Sequence, residues 1–119
     1  MPAFGQGEIY WLQLEGAGAQ EARIPHPHVI IQDDPHDPDK VIACGLTTHL
    51  GRISVPGNVL LERGEGNLPK QSVIEVSKVA VVKKAQLGGY IGSLSAGRVK
   101  QIFAGMRFLE RSFLGDDDA

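Results

Sequence analysis

The sequence predicts a small, mainly β domain finished by one C-terminal amphipathic helix, and three observations lead there. The β-branched runs His28-Val29-Ile30-Ile31 and Val41–Leu46 flank Gln32–Lys40, whose prolines and aspartates favour a turn, so Pro27–His49 reads as a broad hairpin. Fifteen glycines and seven prolines among 119 residues suit short strands and many turns better than a helical bundle. A sustained stripe of apolar residues at three- and four-residue steps begins only after Ser95.

Met1–Gln6 is a short lead-in. Glu8–Leu14 makes the first strand, with Ile9, Trp11 and Gln13 on one face and Tyr10, Leu12 and Leu14 on the other. Large apolar groups on both faces suit a barrel wall or a dimer-facing strand. Glu15–Pro27 carries glycines and two X-Pro steps, which resist helix and predict a mobile loop. Its Arg23 and His26, with His28 just beyond, could hold an anion; the plainer reading is a solvated polar loop.

The second hairpin strand ends in Thr47-Thr48-His49, placing two hydroxyls and an imidazole where a rigid sheet presents them to a ligand. Leu50–Gly57 is a loop, Asn58–Glu62 a short strand and Arg63–Lys70 a glycine-rich turn. No glycine series there leads into a helix with a lysine-hydroxyl pair, so the phosphate loop of an NTPase is excluded. Gln71–Lys84 mixes polar and apolar residues on both parities and reads as one bent strand or two short ones. Ser77 and Lys78 are adjacent on it and point to opposite faces, which argues against a catalytic dyad. Ala85–Gly92 gives a turn and a last short strand. Ser95 caps a helix whose stripe is Val99, Ile102, Phe103, Met106, Leu109 and Phe113, while Arg98, Lys100, Arg107, Glu110 and Arg111 are expected to face solvent.

The length suits one domain spanning 1–119, with a core over about 7–114 and an acidic tail at 115–119. No apolar stretch approaches the roughly 20 residues of a membrane span and no secretory leader precedes the first strand, so a cytoplasmic protein with no membrane partner is expected. Cys44 is alone inside an apolar run and reads as a small core residue. The formal net charge of -2 includes the three aspartates Asp116–Asp118, so charge does not select a partner. The four histidines, His36 at the hairpin turn among them, lack metal-ligand spacing, and neither metal nor cofactor is expected.

The ordered series Gly7-Glu8-Ile9-Tyr10-Trp11, Pro27-His28-Val29-Ile30-Ile31 and Leu46-Thr47-Thr48-His49 resembles the MazF/PemK toxin family of type II toxin-antitoxin systems. The resemblance continues through Val59-Leu60-Leu61, Ser72–Val82 and the final helix, over about residues 7–112. It implies a compact SH3-like β barrel with small helices, a homodimer, an antitoxin protein as partner and metal-independent cleavage of single-stranded RNA. The family often has arginine before the proline that starts the second strand. His26 stands there instead, with Arg23 nearby as a substitute. The family threonine matches Thr47 or Thr48, and Thr48 is preferred because the loop begins directly after it.

The resemblance thus assigns catalysis to Arg23, His26 and Thr48, and substrate contacts to His28, Thr47, His49 and Arg52. The arginine and aspartate found in some ribonucleolytic relatives align with Glu75 and Ser77, an acid expected to repel a phosphate and a weak proton acceptor. Those two departures favour an alternative, a noncatalytic module on the same scaffold that binds an antitoxin-like protein or nucleic acid. A third reading is an unrelated SH3-like structural protein.

Overall fold

The protein is described from a computed structural model over residues 4–13 and 25–114, with side chains through Arg111. Arg23, Leu14, most of the loop expected over Glu15–Pro27, the Phe113 side chain and the acidic tail lie outside the described residues.

Among the described residues, six antiparallel strands form one sheet in the order β4-β5-β3-β2-β1-β6: β1 Glu8–Leu12, β2 His26–Asp34, β3 Asp37–Thr47, β4 Val59–Leu61, β5 Ser72–Lys83 and β6 Leu87–Ser93. Helix α1, Ala96–Leu114, follows, and 3-10 turns occupy Leu50–Ser54, Glu65–Asn67 and Lys84–Gln86. The expected hairpin is β2-β3, but its strands reach almost to the tip, leaving Pro35 and His36 between them. The aspartates shape that tip: Asp34 Oδ1 accepts from the His36 N–H at 3.0 Å, and Asp37 Oδ1 from the Asp39 N–H at 2.9 Å. Gln71–Lys84 resolves as the single long strand β5.

The sheet buries apolar residues on both faces, as the mixed parity of β1 anticipates. One face gives the main core, where Ile9, Val29, Ile31, Cys44, Leu46, Ile74 and Val76 meet Leu61, Leu68 and Ile102 of α1. A smaller cluster of Leu12, Ile30, Val41, Ala43 and Val82 packs with Phe4, Tyr10 and Leu87. Val29 and Ile31 thus oppose Ile30, as strand alternation requires. β1 pairs with β2 in unbroken register from Ile9 to Leu12, so its alternation holds, with Ile9 in the main core and Tyr10 and Leu12 at the smaller cluster. Burial falls off along the first face, for Ile9 is fully buried and Trp11 is 44% exposed. The β1-β6 register slips between Ile9 and Tyr10 and again between Tyr10 and Leu12, with the extra residues on β6.

The turn that follows β4, Glu65–Asn67, makes contact with β6, and Asn67 Nδ2 donates to the Ile91 carbonyl at 2.9 Å. Gly66, at φ +58°, comes so near Gly92 that a side chain at Gly92 would collide with the Gly66 carbonyl. The same turn reaches α1: Arg98 donates through Nε and Nη2 to the two Glu65 carboxylate oxygens at 2.9 and 2.7 Å. Arg98 therefore does not simply face solvent. Its fork of donors grips Glu65 and holds that carboxyl below the usual range.

Ser95 caps α1, its Oγ accepting from the Arg98 N–H at 3.2 Å, and Ile102, Phe103, Met106 and Leu109 lie on the main core as the stripe requires. The helix sits close because Gly105 packs on Gly57, where a Cβ at Gly105 would strike the Gly57 carbonyl. An alanine inside an exposed helix usually gains about 1 kcal/mol over glycine. Here the collision reverses the sign, and Gly105→Ala should lose about 1–3 kcal/mol of stability in urea denaturation. A stabilised variant would show that α1 lies farther from the loop.

Candidate functional site

The site grows from a break in the β3-β5 ladder. Val41 to Cys44 pair in step with Val82 to Val79, but Leu46 then pairs with Ile74, so Gly45 alone faces the stretch Glu75 to Lys78. Such a bulge lets one strand re-aim several side chains at once. Val76 enters the main core, Ser77 turns toward α1, and Glu75 and Lys78 are brought back together. The Glu75 carbonyl, displaced from the ladder, accepts from the Cys44 thiol at 3.0 Å. Burial, with the Glu75 charge nearby, pushes that thiol up to about 12, so it stays protonated as a donor.

The Glu75 side chain is 7% exposed and lies beneath two cations. Arg52, from the turn Leu50–Ser54, donates through Nε to Oε1 at 2.8 Å, and Lys78 Nζ lies 3.8 Å from Oε2. Asn58 fastens this turn to the bulge, with Nδ2 donating to the Arg52 carbonyl at 2.9 Å and Oδ1 accepting from the Val76 N–H at 3.1 Å. Glu75 thus does not stand as a lone acid: it is largely buried and paired with two cations that are more exposed than itself.

His28 borders the same place. It pairs with Gly45 across the β2-β3 ladder, and a Cβ added to Gly45 would lie 3.6 Å from His28 Nε2 and 3.8 Å from Lys78 Cβ. The bare glycine leaves a gap between imidazole and lysine stem. His28 Nδ1 lies 3.0 Å from the His26 carbonyl, which can only accept, so Nδ1 carries the proton and Nε2 offers a lone pair. The ring is buried, and desolvation lowers its pKa from the ordinary histidine value. His28 is thus a held, neutral strand residue with one acceptor edge.

His26 opens β2, exposed and on the same strand face as His28. Thr47 ends β3, its Oγ1 accepting from the His49 N–H at 3.1 Å, which fixes the turn. Thr48 and His49 are exposed, and the His49 ring lies over Gly51. The structure thus collects His26, His28, Thr47, Thr48, His49 and Arg52 around the ends of β2 and β3. Ser77 does not join them. It faces a groove of about 610 Å³ with Val76, Val79, Phe103, Met106 and Leu109, on the other side of β5 from Lys78. Lys78 is the residue that sequence reasoning missed, because strict alternation gave no sign that the bulge would return it to Glu75. Among the described residues, no three His, Cys, Asp or Glu side chains converge as a metal site.

Residues 5–109 match the family described as PemK-like, MazF-like toxin of type II toxin-antitoxin system. Endoribonuclease MazF2 of Mycobacterium bovis and endoribonuclease MazF6 of Mycobacterium tuberculosis are each 29% identical to the chain over 105 residues, covering 86% of it and 92% of their own length. A solved mycobacterial endoribonuclease in complex with its cognate antitoxin superposes with a TM-score of 0.69 at 19% identity, covering 89% of this chain and 93% of that one. The Mycobacterium tuberculosis toxin MazF-mt6 gives 0.65 at 20% identity, over 83% and 91%. At those identities the superpositions establish a shared fold.

The buried neutral ring of His28 has a measurable consequence. Its folded pKa lies below the unfolded value of about 6.5, so the unfolded chain takes up the proton first as pH falls. Stability from this group is full above about pH 6.5 and is lost as pH drops toward the lowered folded pKa, by up to about 1.4 kcal/mol per pH unit. Urea denaturation at several pH values should show that His28→Gln removes this share of the acid sensitivity. Parallel wild-type and variant profiles would mean that the ring is not held neutral.

Proposed function

Because the chain belongs to the PemK-like, MazF-like toxin family of type II toxin-antitoxin systems, we propose that it is an endoribonuclease cutting single-stranded RNA without a catalytic metal. The observation that carries this reading is the surface at the ends of β2 and β3, where imidazoles, threonine hydroxyls and a fixed guanidinium share one rim. RNA supplies its own nucleophile. Its 2'-hydroxyl attacks the adjacent phosphorus as the 5'-oxygen leaves, giving a 2',3'-cyclic phosphate and a free 5'-hydroxyl. The protein must align that attack, move two protons and stabilise charge on the phosphoryl oxygens.

Exposed His26 is assigned the proton transfer. Thr48 donates its hydroxyl to a phosphoryl oxygen, and Arg23 and Arg52 supply positive charge. His28, held neutral, accepts a hydrogen bond from the substrate through Nε2, while Thr47 shapes the turn that presents Thr48 and His49. This reading includes an SH3-like curl of the sheet, a homodimer and a cytoplasmic setting. No helix among the described residues is long and apolar enough to cross a membrane.

The second reading is a noncatalytic toxin-fold module. Its support is Ser77, which faces the apolar groove and so supplies no proton acceptor beside the imidazoles. An antitoxin protein is the partner proposed under either reading. The mycobacterial endoribonuclease similar in fold was solved in complex with one, and the groove along β5 and α1 offers apolar surface for such a contact.

Purified protein should cut a mixed-sequence RNA at reproducible positions, equally with and without EDTA. Binding without cleavage across several single-stranded RNAs would select the noncatalytic module. Given cleavage, His26→Gln should lose roughly 100-fold in turnover, the usual share of a positioned acid or base. Circular dichroism and RNA binding should stay close to wild type. Undiminished turnover in that folded variant would remove His26 from the chemistry.

A further inference from the structure

We infer that Arg52, Glu75 and Lys78 form an anion cradle that grips a backbone phosphate of single-stranded RNA, with Glu75 as a positioning residue acting through Arg52. The inference rests on the proposed RNA substrate and adds a subsite to it. The charges are stacked by depth: the Glu75 side chain is 7% exposed, Arg52 39% and Lys78 63%. One acid lies at the floor and two cations stand at the mouth, so the surplus positive charge faces outward.

The hydrogen bonding points the same way. Glu75 engages Arg52 through Nε, and among the described residues the two terminal guanidinium nitrogens make no hydrogen bond. Those nitrogens present the paired donors that suit two oxygens of one phosphate. Lys78 supplies a mobile point charge beside them. A solvated arginine would have to be immobilised on binding, whereas this one is already held, by Glu75 and by the Asn58 bridge between its turn and the β5 bulge.

Position supports the same use. The Lys78 stem and His28 Nε2 both lie within contact distance of a Cβ built on Gly45, so the cradle adjoins the imidazole-bearing rim. Glu75 aligns with an arginine found in some ribonucleolytic relatives, and here that acid secures the Arg52 guanidinium.

The test uses full-length protein and single-stranded RNA bearing 2'-O-methyl groups, which binds but cannot be cut by 2'-hydroxyl attack. Each phosphate contact contributes about 0.7 to the slope of log affinity against log salt for a single strand. Arg52→Gln and Lys78→Gln together should lower the slope by about that amount, and each alone by a share of it. Glu75→Gln is the decisive variant. By charge alone it would tighten RNA binding, but as a positioning residue its loss should weaken binding about tenfold, the value of one charge-assisted contact. In the Arg52→Gln background it should add almost nothing.

Tighter binding by folded Glu75→Gln would overturn the positioning role. Should that variant fail to fold, the two outer substitutions decide, and wild-type salt slopes in both would overturn the cradle. Wild-type protein that cuts unmodified RNA while both variants keep its slope loses the cradle and retains the enzyme. Protein that shows the predicted slopes and cuts no RNA retains the cradle and loses the enzyme. Absence of RNA binding overturns both.

Discussion

The contact between β3 and β5 governs how the rest of the chain is used. These long strands sit at the centre of the sheet, and neither can run as a regular ladder past Gly45. Four β5 residues, Glu75 to Lys78, stand opposite Gly45 alone, and the buried backbone groups displaced there need other partners. Cys44 satisfies the Glu75 carbonyl and Asn58 the Val76 N–H. With these two groups held, the bulge is a shelf from which an acid and a lysine project beside the ends of β2 and β3.

That shelf also divides β5 between two tasks. Its first residues are buried from Ser72 to Val76 and carry main-core packing, while Val79 and Val81 beyond the bulge are about half exposed. The polar rim and the apolar groove lie on opposite sides of one strand. Each can contact a partner of its own chemistry without displacing the other, as the proposed RNA and antitoxin contacts require. Helix α1 is tied at several points, by Ser95, Arg98 and the Gly105–Gly57 approach, so the groove wall is as well anchored as the rim.

Much of the framework was legible in the sequence because it rests on local chemistry. The β2-β3 hairpin follows from β-branched runs and an aspartate-proline turn. The helix follows from Ser95 and a regular stripe. What was not legible depends on contacts far apart in the chain. Arg98 looked solvated because its partner Glu65 lies 33 residues away, and the slips of β6 against β1 leave no mark on the order of residues. In the site, the strand-end residues His26, His28, Thr47 and Thr48 could be picked out by their place at apolar runs. The meaning of Glu75 could not. Read in isolation it is an acid at the proposed RNA-binding surface, and only the bulge shows it beneath Arg52 and Lys78.

Cys44 carries a consequence of a different kind. Its thiol is fully buried, protonated and engaged with the backbone that the bulge displaces. Reagents that attack thiolates meet it only when β3 and β5 separate, so its alkylation rate is set by how often that seam opens. The cysteine is a natural clock for breathing at the floor of the site. Placed one residue before Gly45, it times the motion that would dismantle the shelf while the outer strands and the helix remain in place.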